Sequence, residues 1–516
     1  MTYTLNLGSK TKATDRYWEM CVGSCHAATA LREDYRIQLA RCARELGFRY
    51  VRFHGIFDDD MSVMKKPPFR EGYKLSFSNI DSIFDFLLQI GMKPFIELSF
   101  MPDCLKSGEQ TIFHYKGNTT PPRDKDAWVW LIKSFLTHLI GRYGRDEVRR
   151  WYFEVWNEPN LGGETGIKNG GFWSGTMEDY YELYAITARA VKEIDRRFRV
   201  GGPATSNNAH ISDMRAYCEK NGLPLDFVST HHYPTDVVLG YGVENSRNFF
   251  KEFSELDKND KDAVSALANE FVTFRKNIWK SVDRGVLTEM AARARKEAGD
   301  LPLFYTEWSS LAGLPSDGSF GASFIAKTIP DNMGLADCYS YWTFSDILEE
   351  DGFPSAAFHG GYGLLTLQNV AKAPYRAFQL LHGLGGKMYV RRFSHETLDI
   401  YAFRDESNET VQLLCVNHQS LLHDIQTQTA KIRLVGGDFA EIAPDVVRID
   451  DEHANAVKEW ERMGCPEYIS EAQKLALQAA SELRRETLTA EREDGALTAE
   501  ISVPPMGVAL VTVYLR

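Results

Sequence analysis

The chain lacks the cysteine spacing of a disulfide scaffold or a zinc site. Its 516 residues include only eight cysteines, which are scattered and form no Cys-x-x-Cys pair. No run of about 18 apolar residues is present, which argues against a transmembrane helix. No apolar segment follows a basic start near the first residue. We therefore expect reduced, mostly buried cysteines and a cytoplasmic protein that does not bind a membrane.

Positive charge is also in deficit. Lysine and arginine total 59 against 71 aspartate and glutamate, a net charge of −12, which argues against a nucleic-acid-binding protein. A content of 44% hydrophobic and 12% aromatic residues excludes a disordered chain. The length predicts either one large α/β barrel with an appendage or three medium-sized domains.

Short apolar segments alternate with helical patterns over residues 14–350. The candidate strands are 18–23, 50–55, 94–99, 151–156, 199–202, 227–230, 302–307 and 338–344. Eight such repeats predict a (β/α)8 barrel, and an open doubly wound sheet is the competing topology. No Gly-x-Gly-x-x-Gly follows the first strand, so a nicotinamide-dependent oxidoreductase lacks its phosphate-binding signature.

Two predicted helices begin with apparent capping boxes, Ser78 with Asp81 and Thr176 with Asp179. Residues 237–300 are too long and too polar for an ordinary βα connection, so we predict an insertion with its own helices.

A different pattern follows the barrel. Short strands at 388–391, 398–403, 411–416, 431–435 and 501–514 predict an antiparallel β-sandwich domain over residues 360–516, completed by residues 1–13. Within it, residues 470–485 have helical spacing of alanine and leucine, typical of a packing helix.

Two predicted strands end in an isolated carboxylate. Glu158 ends the fourth and Glu307 the seventh, and functional groups of a parallel barrel stand at these carboxyl ends. Each could be an ordinary loop glutamate or an arginine partner. A desolvated carboxylate is costly unless it is paired or used, however, and two carboxylates are the minimum equipment of glycoside hydrolysis.

The residues around these carboxylates resemble the glycoside hydrolase family 39 β-xylosidases. The similar segments are FRYVRFHGIFDDDM (48–61), WYFEVWNEPN (151–160), STHHYPTD (229–236), FYTEWSS (304–310), YWTFSDILEEDGF (341–353) and FHGGYGLL (358–365). The resemblance covers most of the chain and implies a barrel with an attached β-sandwich.

The resemblance also implies roles. Glu158 would be the general acid/base and Glu307 the nucleophile, and Asn157 would form a hydrogen bond with the sugar 2-hydroxyl near the nucleophile. The sugar pocket would be lined by His54, His231, Tyr233, Trp342, Glu349 and Glu350. A purely structural role for His54 stays open, and Phe113, Tyr115, Phe172 and Trp173 either stack on an aglycone or pack within loops. Asp58, Asp59 and Asp60 are interpreted as a solvated loop.

The leading hypothesis is a retaining, exo-acting β-xylosidase that releases xylose from short xylo-oligosaccharides, without a cofactor or a metal. One alternative is the same mechanism on another glycoside, as in an α-L-iduronidase-like enzyme, a β-glucosidase or an arabinosidase. A carbohydrate-binding protein without catalysis is the alternative from another class. A homo-oligomer, either a dimer or a tetramer, is also left open.

Overall fold

Eight parallel strands close into a barrel, as predicted. The computed structural model describes residues 1–162, 171–235, 256, 260–310 and 314–516. The barrel strands are β1 (Cys21–His26), β2 (Tyr50–His54), β3 (Lys93–Leu98), β4 (Tyr152–Val155), β5 (Arg199–Thr205), β6 (Phe227–His232), β7 (Leu303–Trp308) and β8 (Cys338–Tyr341). They are hydrogen-bonded in chain order, and β8 pairs with β1. The predicted fold class is confirmed.

Helices surround this barrel. They span Glu33–Leu46, Ser78–Gln89, Lys125–Tyr143, Arg145–Val148, Met177–Ile194, Ile211–Lys220, Lys261–Ser281, Val286–Ala298, Ser319–Asp331 and Ala373–His382. Short 3-10 turns lie at Tyr17–Glu19, Ala27–Leu31, Asp59–Met61, Ser206–Asn208 and Leu314–Asp317, and small hairpins pair Met64–Lys65 with Lys74–Leu75 and Thr111–Ile112 with Gly117–Asn118. None of the described helices combines the length and apolar character that crossing a bilayer requires.

The helix starts differ from the predicted ones in one case. Thr176 and Asp179 form the predicted capping box. The box predicted at Ser78 is wrong, because Phe77 precedes the helix and no side chain caps it. Asp81 instead faces His138, with 2.7 Å between Oδ1 and Nε2.

The interior of the barrel changes from apolar to polar along the strands. Phe95, Phe227 and Phe304 pack together near the amino-terminal ends of β3, β6 and β7. Alternate residues of a strand share a face. Glu97 therefore follows Phe95 into the interior, as Thr306 follows Phe304, and both are fully buried. The apolar floor leaves the upper half of the barrel to polar groups.

An irregularity in β7 shapes that polar half. The register between β6 and β7 shifts so that Thr230 pairs with Tyr305 but His231 pairs with Glu307. Such a bulge redirects side chains. Consecutive residues Thr306 and Glu307 consequently both approach His231, which a regular strand would not allow.

The β-sandwich combines two sheets. One has the order Thr2–Asn6, Gln428–Val435, Ala496–Val503 and Ala490–Glu493. The other contains Thr11–Ala13, Lys387–Tyr389, Phe393–His395, Leu398–Asp405, Thr410–Asn417, Val508–Tyr514, Asp445–Ile449 and Arg485–Thr487. Strand Thr2–Asn6 pairs in parallel with Gln428–Val435, and the other pairs are antiparallel. Helices Ala456–Arg462 and Glu471–Ala480 lie between these strands in sequence.

Barrel and sandwich share packing. Tyr401 and Val416 of the sandwich belong to the same apolar cluster as the barrel core. Tyr401 donates a hydrogen bond to Asp331 at 2.7 Å, at the end of helix Ser319–Asp331. Helix Val286–Ala298, in the stretch predicted as an insertion, packs against β6 and β7. Residues 236–255 and 257–259 of that stretch lie outside the described residues.

Candidate active site

Two buried carboxyl groups meet at the upper end of the barrel. Glu158 follows β4 and Glu307 lies in β7, and their side chains, with that of His231, approach so that one nitrogen or oxygen of each lies within 4.8 Å of the others. Glu158 is 7% and Glu307 5% exposed. The fold therefore brings together the two carboxylates singled out in the sequence.

Arg52, at the centre of β2, connects the surrounding acids. It is fully buried. Its guanidinium donates to Glu154 at 2.6 Å and to Glu307 Oε1 at 2.9 Å, and its Nη2 lies 2.8 Å from Glu97. Nη2 also donates to Asn157 Oδ1 at 2.8 Å. A planar fork of this kind fixes the direction of every carboxylate that it binds.

Both oxygens of Glu307 are held. Arg52 binds Oε1, and the Tyr233 hydroxyl donates to Oε2 at 3.0 Å. His54 Nε2 stands 3.7 Å from Oε1. These donors fix the orientation of the Glu307 carboxyl group, as a nucleophile requires.

Glu158 has a contrasting environment. Burial raises its pKa to about 7, against the opposing charges of His54 and Arg52. Nδ1 of His231 lies 2.9 Å from its Oε1. Glu158 adopts a φ of 40° and Trp156 one of 71°, so the chain turns sharply where β4 ends. This carboxyl group therefore holds its proton to a higher pH than an ordinary glutamate does, as a general acid requires.

An aromatic wall stands next to the carboxylates. Burial disfavours a charged His54 ring, but Glu97 at 2.7 Å from Nδ1 outweighs it and raises the pKa of His54. The Trp342 ring lies 4.9 Å from that of His54, and those of Phe113 and Phe172 lie 6.3 and 6.0 Å away.

The remaining predicted residues border this cluster. Asn157 Nδ2 has no hydrogen-bond partner among the described residues and remains available as a donor. Burial raises the pKa of Glu350 to about 7, with Glu307 and Asp351 adding repulsion. Glu349 lies further out, where Oε2 is 3.8 Å from His26 Nε2.

The two carboxyl groups, together with His231, also have a spacing suited to a metal ion. Within the described part of the chain, Glu158, His231 and Glu307 are the one such group. Arg52 and Tyr233, however, already occupy the two oxygens of Glu307. A cation there would compete with a buried guanidinium, so the donor set fits a metal poorly.

Sequence reasoning missed several members of the site. The sequence analysis assigned no role to Arg52, Glu97, Glu154 or Thr306. For the first three, a charged residue inside an apolar barrel strand was a usable signal. Asp58, expected in a solvated loop, is 5% exposed, and burial together with Asp60 and Asp59 raises its pKa well above the usual range.

The loop aromatics divide between two environments. Trp173 is fully buried and packs against Trp156, with 5.0 Å between ring centroids, which favours loop packing. Tyr115 stacks on His26 at 3.8 Å, and His26 Nε2 lies 3.0 Å from Asp60. His26 thus borders the same mouth without having been singled out.

A (β/α)8 barrel with two closely spaced, buried carboxyl groups near the carboxyl ends of its strands is typical of the glycoside hydrolases. The model of glycosyl hydrolases family 39 matches residues 3–274 and 267–498. The chain belongs to glycosyl hydrolase family 39.

Similar proteins carry consistent descriptions. A β-xylosidase of Caldicellulosiruptor saccharolyticus is 43% identical over 99% of this chain and 98% of its own length. A β-xylosidase of Geobacillus stearothermophilus is 31% identical over 96% of this chain and 92% of its own. The crystal structure of a monomeric β-xylosidase from Caulobacter crescentus CB15 matches with a TM-score of 0.79 and 31% identity, covering 99% of each chain.

Proposed function

We propose that this glycoside hydrolase is a retaining, exo-acting β-xylosidase that releases xylose from the non-reducing ends of β-1,4-linked xylo-oligosaccharides. The observation that carries the proposal is the pair Glu158 and Glu307, whose carboxylate oxygens approach within 4.8 Å. Retaining enzymes separate the two carboxyl groups by about 5–5.5 Å, whereas inverting enzymes need about 6.5–9.5 Å for a water. The full-length similarity to β-xylosidases supports the choice of sugar.

The reaction follows from the two environments. Glu307, oriented by Arg52 and Tyr233, attacks the anomeric carbon and forms a glycosyl-enzyme ester. Glu158, with its pKa raised to about 7, gives its proton to the departing oxygen. It then takes a proton from water, which cleaves the ester and restores the original anomer.

Asn157 supports the same step. Its Oδ1 is fixed by Arg52, which leaves Nδ2 to donate to the sugar 2-hydroxyl beside the nucleophile. The aromatic wall of His54 and Trp342 offers an apolar surface to the sugar ring.

Exo action is supported by a contact between two loops beside the site. The His114 N–H donates to the Glu350 carbonyl at 2.6 Å, which joins the loop after β3 to the loop after β8. A site bordered in this way receives the end of an oligosaccharide. Xylotetraose should accordingly give xylose and xylotriose as first products.

The acidic loop after β8 favours a neutral sugar over a uronic acid. Glu349, Glu350 and Asp351 are acceptors for sugar hydroxyl groups. A uronate carboxylate about 4 Å from one such charge would lose on the order of 4 kcal/mol at an effective dielectric near 20.

A panel of aryl glycosides tests this function. We expect an aryl β-D-xyloside to be hydrolysed at least about a hundredfold better, in kcat/KM, than an aryl α-L-iduronide, a gap of about 2.7 kcal/mol. Proton NMR of the first product should detect β-xylose. Comparable rates on both substrates would refute the sugar assignment, and α-xylose as first product would refute retention.

We also propose action inside the cell, supported by eight free cysteines. Cell fractionation tests the location. A homo-oligomer stays a hypothesis, which light scattering of the purified protein addresses.

A further inference from the structure

A chain of buried hydrogen bonds leads away from Glu158. Its Oε1 lies 2.9 Å from Nδ1 of His231, and Nε2 of that ring lies 3.1 Å from the Thr306 hydroxyl. Thr306 in turn is 2.9 Å from Glu154 Oε1. His231, Thr306 and Glu154 are all fully buried. These side chains are therefore shielded from bulk water.

The direction of each bond follows from the far end of this chain. Glu154 is ion-paired with Arg52 at 2.6 Å, so its carboxylate only accepts. The single hydroxyl proton of Thr306 therefore points to Glu154. His231 Nε2 must then carry a proton and donate it to the Thr306 oxygen.

The direction of the hydrogen bond between Glu158 and His231 depends on the charge of the His231 ring. Burial lowers the pKa of His231 to about 4, although Glu307 opposes the shift, so the ring is neutral near pH 7. A neutral imidazole carries one proton, which is already at Nε2. Nδ1 therefore presents a lone pair to Glu158, and only a protonated Glu158 makes a hydrogen bond with it.

We propose that Thr306 is a positioning residue for catalysis: it fixes the His231 tautomer whose Nδ1 accepts the acid proton of Glu158 and so keeps that acid protonated in the free enzyme. This inference rests on the acid/base role proposed for Glu158. When substrate binds, the leaving oxygen competes with Nδ1 for the proton and departs with it. The resulting carboxylate faces a lone pair, which makes it a stronger base toward the incoming water.

Other charged and titratable groups surround these hydrogen bonds, and a substitution that tests the proposal must not change their charge. The charged or titratable neighbours of Glu158 are His54, Arg52, Glu97 and Glu350. Those of His231 are Glu307, Arg52, Glu154, His54 and His232. Tyr233 contacts Glu307. Substituting Thr306 removes a neutral hydroxyl and no formal charge. A shift in the pH at which Glu158 ionises therefore reports on the tautomer of His231.

The pH profile of kcat/KM tests the proposal, because it reports the free enzyme. In Thr306→Val the His231 ring is released and donates from Nδ1 to the ionised Glu158. A hydrogen bond to a charged group should lower the pH of the basic limb by about one unit. Thr306→Ser retains the hydroxyl and should retain the wild-type limb. An unchanged limb in Thr306→Val, or an upward shift, would overturn the proposal.

Thr187 provides a matched control. Its hydroxyl is fully buried, accepts from Trp128 Nε1 at 2.8 Å and donates to the Leu183 carbonyl at 2.7 Å, on helix Met177–Ile194. Thr187→Val loses the same kind of hydroxyl away from the carboxylates. Its pH profile should match the wild type, and a matching shift there would overturn the assignment to Thr306.

Nitrogen-15 NMR of labelled histidine gives a readout independent of activity. The signal of His231 is the one lost in His231→Gln. We expect Nε2 protonated and Nδ1 unprotonated in the wild type and Thr306→Ser, and the reverse in Thr306→Val. A protonated Nδ1 in the wild type would overturn the proposal even if Thr306→Val fails to fold. The result does not depend on which glycoside is cleaved, so failure of the xylosidase assignment is separately visible.

Discussion

Arg52→Met would remove a guanidinium that binds Glu97, Glu154 and Glu307. The three carboxylates lie 2.6–2.9 Å from Arg52 nitrogens, and each is at most 5% exposed. Removing one partner of a buried ion pair costs about 3–5 kcal/mol. The carboxyl groups limit this cost by taking up protons.

Protonation of these carboxyl groups also determines how the stability of Arg52→Met depends on pH. Neutralising a carboxyl group with an unfolded-state pKa of about 4.3 costs about 3.7 kcal/mol at pH 7 but about 1 kcal/mol at pH 5. In the wild type, His54 and Arg52 outweigh burial and hold the pKa of Glu97 below its usual value. Its contribution to stability is therefore present above the unfolded-state pKa and is lost only as pH falls through the lower folded-state value. In Arg52→Met the folded-state pKa is raised instead, so the variant regains stability, relative to the wild type, as the pH falls from 7 to 5.

Urea unfolding at pH 7 and at pH 5 measures the difference in free energy of unfolding between the wild type and Arg52→Met at each pH. We expect Arg52→Met to be less stable by about 4 kcal/mol at pH 7 and by about half of that at pH 5. Xylosidase activity should be lost, because a protonated Glu307 is a poor nucleophile. A gap that does not change with pH, or full activity, would refute this reasoning.

Arg376→Met is the matched control. Arg376 is 2% exposed, but its partner Glu482 has a side chain that is 58% exposed. That carboxylate returns to water when the arginine is removed. The stability gap should therefore be the same at both pH values, with activity retained.

Substitutions of the carboxyl groups give the remaining tests. Glu158→Ala should keep activity on xylosides with good leaving groups but lose about 10²–10⁴-fold on poor ones, and azide should give the β-xylosyl azide; an α-azide would reverse the roles. Glu307→Ala should be inactive on both kinds of substrate, with azide giving the α-product from an activated donor; turnover of the parent xyloside would contradict the nucleophile assignment. In the wild type, kcat/KM should fall above about pH 7, because burial raises the pKa of Glu158 to about 7, and a flat profile from pH 4 to 9 would contradict this. Glu349→Gln should strongly lower kcat/KM on the xyloside while leaving the iduronide rate low, and an unchanged rate on the xyloside would exclude a role in sugar binding.

The repeated βα pattern was sufficient to predict the barrel, because eight buried strands leave eight apolar segments. The ends of strands were less predictable. The fifth strand, predicted at 199–202, extends to Thr205, and the segment predicted at 501–514 divides into Ala496–Val503 and Val508–Tyr514 around a turn. Tertiary pairing decides these limits, and local propensity does not encode it.

The residues of the site also divide into those that the sequence predicts and those whose roles depend on tertiary contacts. Glu158 and Glu307 were found because each ends an apolar strand, whereas Arg52 and Thr306 act through contacts between strands far apart in sequence. The bulge in β7 that turns both Thr306 and Glu307 toward His231 has no signature in the sequence. Catalytic roles for these residues stay predictions until the variants are measured.

The parallel pairing of Thr2–Asn6 with Gln428–Val435 has a consequence for biosynthesis. The two strands are separated by roughly 420 residues, so at about 5–20 residues per second the first strand waits on the order of 20–80 s for its partner to leave the ribosome. Neither sandwich sheet is complete earlier, because Val508–Tyr514 lies between two other strands of the second sheet. During that interval a nascent chain exposes the unpaired edge of strand Thr2–Asn6, and such an edge can pair with a strand of another chain.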